Sequence, residues 1–455
     1  MTGSTVAPPQ VPVRVRYDAG GAAAHDGRQR PTPVAWSTSA AWSTPAPWPT
    51  RAIDGQSVRL LIADVLLPLA GDGETRHRAE SLAEHYARLG PRPAGDLHPL
   101  TVLDDVGLTG HGGGHVPVAA KWRRTLADSG PLTVVANGAE SEPWSAKDAS
   151  LLRQRPHLVL DGLLLAAEAL GADRAVVWLH DGDGSGQVAT HRAVADALRE
   201  RAAGAGPAIE LLVGPVHYLT GESSAAAQAV AGGAALPTAR RPRVGHGPRT
   251  LVHNVETLAR VALAARRLPA TATTLLTVVG PAGRLVTEVA RGSALFDPVR
   301  AAGWTGPAVP DGALLGGYAG TWVPWEDVVR ARVDPADPVG RLLGAGIVAP
   351  LPHGACPVEA TAVLAEYLAG MSAGQCGPCV FGLPAIAESV RRLADGRPGR
   401  AEGPRLAEDL DAVAGRGACH HPDGVVGLVR SLRTTFPDHV AAHERGRTCD
   451  ARWWA

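Results

Sequence analysis

The 455-residue chain contains no uninterrupted apolar run of about 18 residues, and no basic stretch followed by an apolar core opens it. The expectation is a soluble, cytoplasmic chain with no transmembrane segment, free to dock peripherally on a membrane complex. It also lacks any excess of charge: Lys plus Arg and Asp plus Glu number 44 each, so no global field draws it onto nucleic acid or anionic lipid. Cysteine is scarce, five in all, an odd number, and every one lies beyond residue 355. That excludes a secreted disulfide framework and points to a reducing compartment in which thiols serve a site. At this length one hydrophobic core does not suffice, and a prior of ~150 residues per domain predicts two to four units.

What is present divides the chain. Residues 1–57 are rich in Pro, Ala, Ser, Thr and Gly and are expected to form a disordered tail, with Trp36, Trp42 and Trp48 positioned to dock on the folded body or on a partner. Between 58 and 268 the runs TVVANGAE, LVLDGLLLAAEAL, RAVVWLHDG, HRAVADALRERAA and AIELLVGP alternate strand and helix. Strands linked by crossover helices predict a parallel sheet in a three-layer, Rossmann-like α/β domain. Residues 269–330, with TTLLTVVG, GRLVTEVA and ALLGGYAGTWV around one helix near 295–302, predict a small β-grasp domain. Residues 345–445 carry about four amphipathic helices.

Four loops and a cysteine pair carry chemistry. GLTGHGGGHVPVAAKW, Gly107 to Trp122, places five glycines before a basic helical segment. Such a backbone approaches a phosphate or a flat ring closely, with Lys121 near as a cation. In VVANGAESEPWSAKD, Asn137, Glu140 and Glu142 project from a strand's C-terminal end, where open α/β sheets bind ligands. HYLTGESS ends another strand at Gly221 and Glu222, and RTLVHNVETL sets Asn254 and Thr257 at a helix start. MSAGQCGPCVFGLP holds Cys376 and Cys379, whose two-residue spacer suits a disulfide, zinc or an iron–sulfur cluster. Cys356 reads as a buried core thiol and Cys449 has no assigned chemistry. No H-x-x-x-H pair combines a clear helical face with a carboxylate partner, so the 17 histidines are read as ordinary polar groups.

Taken in order, these loops resemble the NADH-binding flavoprotein subunit of respiratory complex I over roughly residues 60–440. The resemblance implies a flavin mononucleotide (FMN) domain, a β-grasp domain of the soluble-ligand-binding type and a four-helix iron–sulfur domain. It implies that Gly110, Gly112, Gly113 and Lys121 form the FMN loop and that Asn137, Asn254 and Thr257 complete the flavin and phosphate site. Glu140, Glu142, Gly221 and Glu222 then border NAD(H), with Glu142 and Glu222 as catalytic groups. Cys376, Cys379 and the distant Cys419 become ligands of a 4Fe-4S cluster. Hydride passes from NADH to flavin, and single electrons pass on to the cluster and to partner subunits.

The pattern departs from that family at points that matter. His111 replaces its loop Arg, His115 its Phe, Ala139 its Asp, Ser223 the second Glu of G-E-E, and His253 the first Asn of N-N-V-E-T. A base stacked on an aromatic ring gains about 1–3 kcal/mol, so the lost aromatics bear on NADH more than on flavin. In S-C-G-x-C-x-P-C the first cysteine is Ala373 here, leaving three thiolates of four, with His420 or His421 as candidate fourth ligands. A Cys3His zinc site and a dithiol remain open from the same residues. The competing function class is a degenerate paralogue that keeps the fold as a scaffold with a zinc or empty cysteine site. A third relative, the membrane electron-transport subunit coupling ferredoxin and NAD, has a similar N-G-A-E-x-E-P stretch but needs two full cysteine sets.

Overall fold

The computed structural model describes residues 13–16, 78–93, 99–181, 185–201, 208–238 and 249–449. Trp36, Trp42 and Trp48 lie outside them. One five-stranded sheet comprises β1 (Val13–Arg16), β2 (Leu132–Asn137), β3 (Arg174–Asp181), β4 (Ile209–Pro215) and β5 (Arg249–Asn254) in the order β1-β4-β3-β2-β5. β4, β3, β2 and β5 run parallel, and β1 adds antiparallel to the β4 edge. Val13–Arg16 thus correct the expectation of a tail disordered throughout: the V-R-V-R run satisfies an open sheet edge.

The helices of this unit are α1 (Leu82–Leu89), α2 (Pro99–Asp105), α3 (Val118–Ala127), α4 (Lys147–Gln154), α5 (Pro156–Leu170), α6 (Ser185–Arg201), α7 (Ser223–Val230) and α8 (Val255–Ala265). Leu132, Val134 and Ala136 of β2 pack into the core beneath α5 and α8, while Val135 points to the opposite core beneath α7. Both faces are covered, which is why β2 reads as one apolar run rather than an alternation. α5 and α8 cross so closely that a methyl at Gly162 would collide with the carbonyl of Leu258.

A second sheet has the order β7-β6-β10-β8-β9: β6 (Thr273–Gly280), β7 (Gly283–Ala290), β8 (Gly312–Leu315), β9 (Thr321–Pro324) and β10 (Ile347–Pro350), accompanied by α9 (Phe296–Ala301) and α10 (Trp325–Arg330). β10 is inserted between β6 and β8, beyond the expected end of this unit at residue 330. Its four residues alternate between two buried faces: Val348 joins the core under α9 and α10, whereas Ile347 and Ala349 face the C-terminal helices. A short strand buried on both sides carries no periodic signal.

The C-terminal helices are α11 (Pro357–Gly370), α12 (Leu383–Ala394), α13 (Glu402–Val413), α14 (His421–Thr435) and α15 (Pro437–Glu444), the last unread from the sequence. A single π-helical turn, Pro378–Gly382, leads into α12 and carries Cys379. Among the described residues no helix is long and apolar enough to cross a membrane.

Candidate functional site

Parallel register makes Asn137, at the end of β2, the direct neighbour of Asn254, at the end of β5. Asn137 donates from Nδ2 to the carbonyl of Gly221 at 2.8 Å and accepts from the Ala139 amide at 3.2 Å. Asn254 caps α8 by accepting from the Glu256 amide at 2.9 Å, and its Nδ2 donates to Asp148 Oδ2 at 2.6 Å. The glycine loop crosses above this edge, tied down where the His111 amide donates to Thr257 Oγ1 at 2.9 Å. Gly112 lies so near Asn254 that an added Cβ would stand 3.4 Å from the Asn254 Cβ. A cleft of about 230 Å³ opens between loop and sheet edge.

Gly110, Gly112, Lys121, Asn137, Asn254 and Thr257 line that cleft, and so do Glu140, Glu142 and Gly221. Gly113 and Glu222 do not. Gly113 lies instead toward the backbone of Gly344 and Ala345. Glu222 is the N-cap of α7, where its carboxylate accepts from the amides of Ser224 at 2.9 Å and Ala225 at 3.0 Å. Glu222 is thus engaged through Oε2 at the start of its own helix and is not among the residues that line the cleft. Glu140 is likewise engaged, accepting from the amides of Asp148 at 3.1 Å and Ala149 at 3.0 Å.

Charge in the cleft is arranged in two layers. Lys121 is largely buried and donates to the carbonyl of Val252; burial pulls its ammonium down to about 8, Arg124 adds to this, and Glu222 opposes it. Among the described residues no carboxylate forms an ion pair with it, so an anion bound in the cleft would meet a cation otherwise served only by a carbonyl. Beneath lies a buried network that sequence reading missed. Lys147 Nζ donates to Asp148 at 2.9 Å and to Glu256 at 2.8 Å, and Arg260 donates to Glu256 at 2.8 Å. His111 turns into this layer, its Nδ1 3.2 Å from Glu256; burial pushes the imidazole down to about 3 despite that carboxylate. His253 accepts from Trp122 Nε1 at 2.9 Å, and complete burial keeps it neutral.

Glu142 sits where cleft, second sheet and helices meet. It accepts from Tyr218 Oη at 3.1 Å, from the Tyr318 amide at 3.1 Å and from the Trp144 amide at 3.4 Å. Burial pushes its carboxyl up to about 8, with a contribution from Glu140 and against those hydrogen bonds. Three of the five tyrosines gather here: Tyr318 and Tyr367 have ring centroids 5.0 Å apart, Tyr218 and Tyr367 6.0 Å, and Tyr218 lies 5.5 Å from the His421 ring. These rings connect the cleft wall to the start of α14, two residues from Cys419. No local pattern in the sequence joins residues so far apart; only the motif position of Glu142 pointed there.

Cys376, Cys379 and Cys419 meet at the C-terminal end of α11. Burial opposes ionisation of Cys376, but amides of Ala418 and Cys379 donate to its sulfur and lower its pKa overall. Cys379 is pushed up to about 12 by burial and by the neighbouring Cys376, with the Ala373 amide donating to it. Ala373 offers a methyl where a fourth thiol would stand. His420 is exposed and lies 3.7 Å from Asp423, and His421 places Nε2 2.8 Å from the Leu368 carbonyl, so neither is grouped with the sulfurs. The three sulfurs also do not lie mutually within 4.8 Å of one another, a spread wider than one tetrahedral ion draws together.

A parallel sheet with a glycine loop and an unmatched lysine at its carboxyl edge, joined to helices that converge three thiols, is the architecture of an electron-transferring flavoprotein of the α/β class. Comparison with known proteins gives the family. Residues 103–263 match the Nuo51 FMN-binding domain and residues 359–443 the NADH-ubiquinone oxidoreductase-F iron–sulfur binding region. The F subunit of the NADH-quinone oxidoreductase of Mycobacterium tuberculosis is 27% identical over 394 residues, covering 77% of this chain and 85% of that protein. Its Escherichia coli counterpart is 28% identical over 379 residues, covering 75% and 83%. A chain of the NAD+-reducing NiFe hydrogenase in its H2-reduced crystal structure superposes with a TM-score of 0.70 at 27% identity, covering 81% of this chain and 67% of that one. The chain belongs, as a divergent member, to the family of the NADH-binding flavoprotein subunit of respiratory complex I.

The residues present fit a flavin mononucleotide: a side-chain-free loop at Gly112, a buried ammonium with no carboxylate ion pair among the described residues, and two asparagines at one sheet edge. For a four-iron cluster they supply three thiolates, with no cysteine for the fourth corner.

Proposed function

We propose that the chain oxidises NADH at the cleft and passes electrons through flavin toward the cysteine site and an acceptor subunit. The observation that carries this is the convergence of the glycine loop, Lys121, Asn137 and Asn254 on one cleft whose wall runs through Glu142 and the tyrosines to α14. We read the sheet of β1–β5 as the FMN domain, that of β6–β10 as the β-grasp domain, and α11–α15 as the iron–sulfur domain.

Lys121 neutralises the phosphate, while the backbone of Gly110, Gly112 and Gly113 lets the loop close over phosphate or ring. Asn137 and Asn254, held by the bonds described above, present their remaining polar edges to the flavin, and Thr257 anchors the loop. Glu140 and Gly221 border the nicotinamide side. Glu142, neutral when its carboxyl is protonated, bounds that side without repelling a dinucleotide phosphate. When bound, flavin accepts two electrons as hydride and releases them singly to one-electron carriers. Cys376, Cys379 and Cys419 would hold the iron–sulfur group. Reaction in the cytoplasm, peripheral to a membrane complex, suits a chain of this family.

Anaerobic mixing of the FMN-loaded protein with NADH tests the reading: the flavin absorbance should bleach within a catalytic turnover time. Failure to bind FMN would sink it. Ala373 favours a second reading, a scaffold subunit, which predicts bound flavin that NADH leaves oxidised.

A further inference from the structure

Three side chains at the other end of α11 remain without a function. Cys356 is the N-cap of α11, His443 lies in the last turn of α15, and Cys449 lies in the segment that follows. Cys356 Sγ is 3.3 Å and Cys449 Sγ 3.4 Å from His443 Nε2. All three ligand atoms lie within 4.8 Å of one another, the only such group among the described residues. At a rise of about 1.5 Å per residue, α11 separates this group from the Cys376 site by roughly 20 Å.

The tautomer of His443 is fixed by its other nitrogen. Nδ1 stands 2.8 Å from the carbonyl of Leu393, and a carbonyl only accepts, so Nδ1 carries the proton. The neutral ring's lone pair is therefore on Nε2, facing two sulfurs. Without a cation the two thiols hydrogen-bond to each other and share that one lone pair, whereas a cation among the three engages every donor. A tetrahedral centre with metal–sulfur bonds of about 2.3 Å and metal–nitrogen bonds of about 2.0–2.1 Å has sulfur–nitrogen edges of about 3.5 Å. The observed separations match that edge. The bond from Nδ1–H to a backbone carbonyl is the usual support of a metal-bound imidazole.

Two further features favour a thiolate site. The Glu359 amide donates to Cys356 Sγ at 3.4 Å, and the positive end of α11 favours negative charge there. His439, one turn before His443 on α15, brings Nδ1 to 3.5 Å from Cys449 Sγ. This H-x-x-x-H pair, which has no carboxylate partner in the sequence pattern, thus has thiols as its partners instead.

We propose that Cys356, His443 and Cys449, with His439 or water in the fourth position, bind a zinc-class divalent cation that fastens the segment after α15 to α11 and α12. The test compares the full-length protein with its Cys449→Ala and His443→Gln variants, measuring zinc and iron per chain by mass spectrometry and titrating each with zinc(II) and with cobalt(II). The parent should carry one zinc that each variant binds at least tenfold more weakly, with iron content unchanged, and only the parent should develop thiolate-to-cobalt charge-transfer absorption. Equal zinc in parent and both variants overturns the proposal. So does a Cys356–Cys449 disulfide found by non-reducing peptide mapping of protein purified anaerobically.

Discussion

The carboxylate of Glu142 accepts a hydrogen bond from Tyr218 at 3.1 Å in a setting where burial raises its pKa from 4.5 to about 8. A raised acid holds a proton in the folded chain at pH values where the unfolded chain has released it. Between about 4.5 and about 8 the native state binds more protons, so stability falls as pH rises through that window and is greatest at its acid end. Glu142→Gln should flatten this decline. Thermal melts across about pH 5–8 check it; an unchanged slope in the variant excludes Glu142 as the titrating group.

Lys121 holds the cleft's unmatched positive charge, lowered to about 8. Hydrogen bonds to charged groups contribute about 1.5–3 kcal/mol, so Lys121→Ala should weaken FMN binding roughly 10- to 150-fold. Affinity of the parent should also fall as pH rises past about 8, where the free protein loses the ammonium, and the variant should lack this fall. Fluorescence titration of FMN at several pH values measures both, and riboflavin, without the phosphate, should show little difference between the two proteins.

Much of this cleft was legible because its residues sit in local signals: Asn137 at the end of a β-branched run, Asn254 before a helix, and glycines ahead of Lys121. The order of these loops added a family that no single loop specifies. What escaped reading is long-range. β10 is four apolar residues buried on both faces, and α15 follows α14 after one residue with a weak amphipathic pattern. The Lys147–Glu256 pair joins positions 109 residues apart, and His443 finds Cys356 across 87. The cap formed by Glu222 was not legible for a different reason: an acidic residue after a glycine suits a ligand and a helix cap equally, and here it caps α7.

Glu256 anchors the layer beneath the cleft. Burial opposes its charge, yet His111, Lys147 and Arg260 hold it well below the usual carboxylate range, and the Leu275 amide adds a bond at 3.2 Å. Replacing one partner of a buried ion pair costs about 3–5 kcal/mol because the remaining charges lose compensation. Glu256→Gln should therefore lower the melting temperature of the first transition by roughly 6–20 °C. Calorimetry decides it; a shift of under a degree or two would mean that the cations relax to water.

Ala373 tests how the cysteine site is completed. Its amide already donates to Cys379 Sγ, so the backbone there is directed at the sulfurs and only the side-chain donor is missing. Cysteine at this position adds a fourth thiolate without changing the local fold, since Ala373 is half-buried and a single sulfur is a modest addition. Ala373→Cys should raise iron and acid-labile sulfide per chain toward about four each, the count of a four-iron cluster. It should also slow loss of the visible absorbance on exposure to a chelator. If instead parent and variant hold equal, substantial iron with equal chelator resistance, the fourth corner is already filled by a donor other than residue 373.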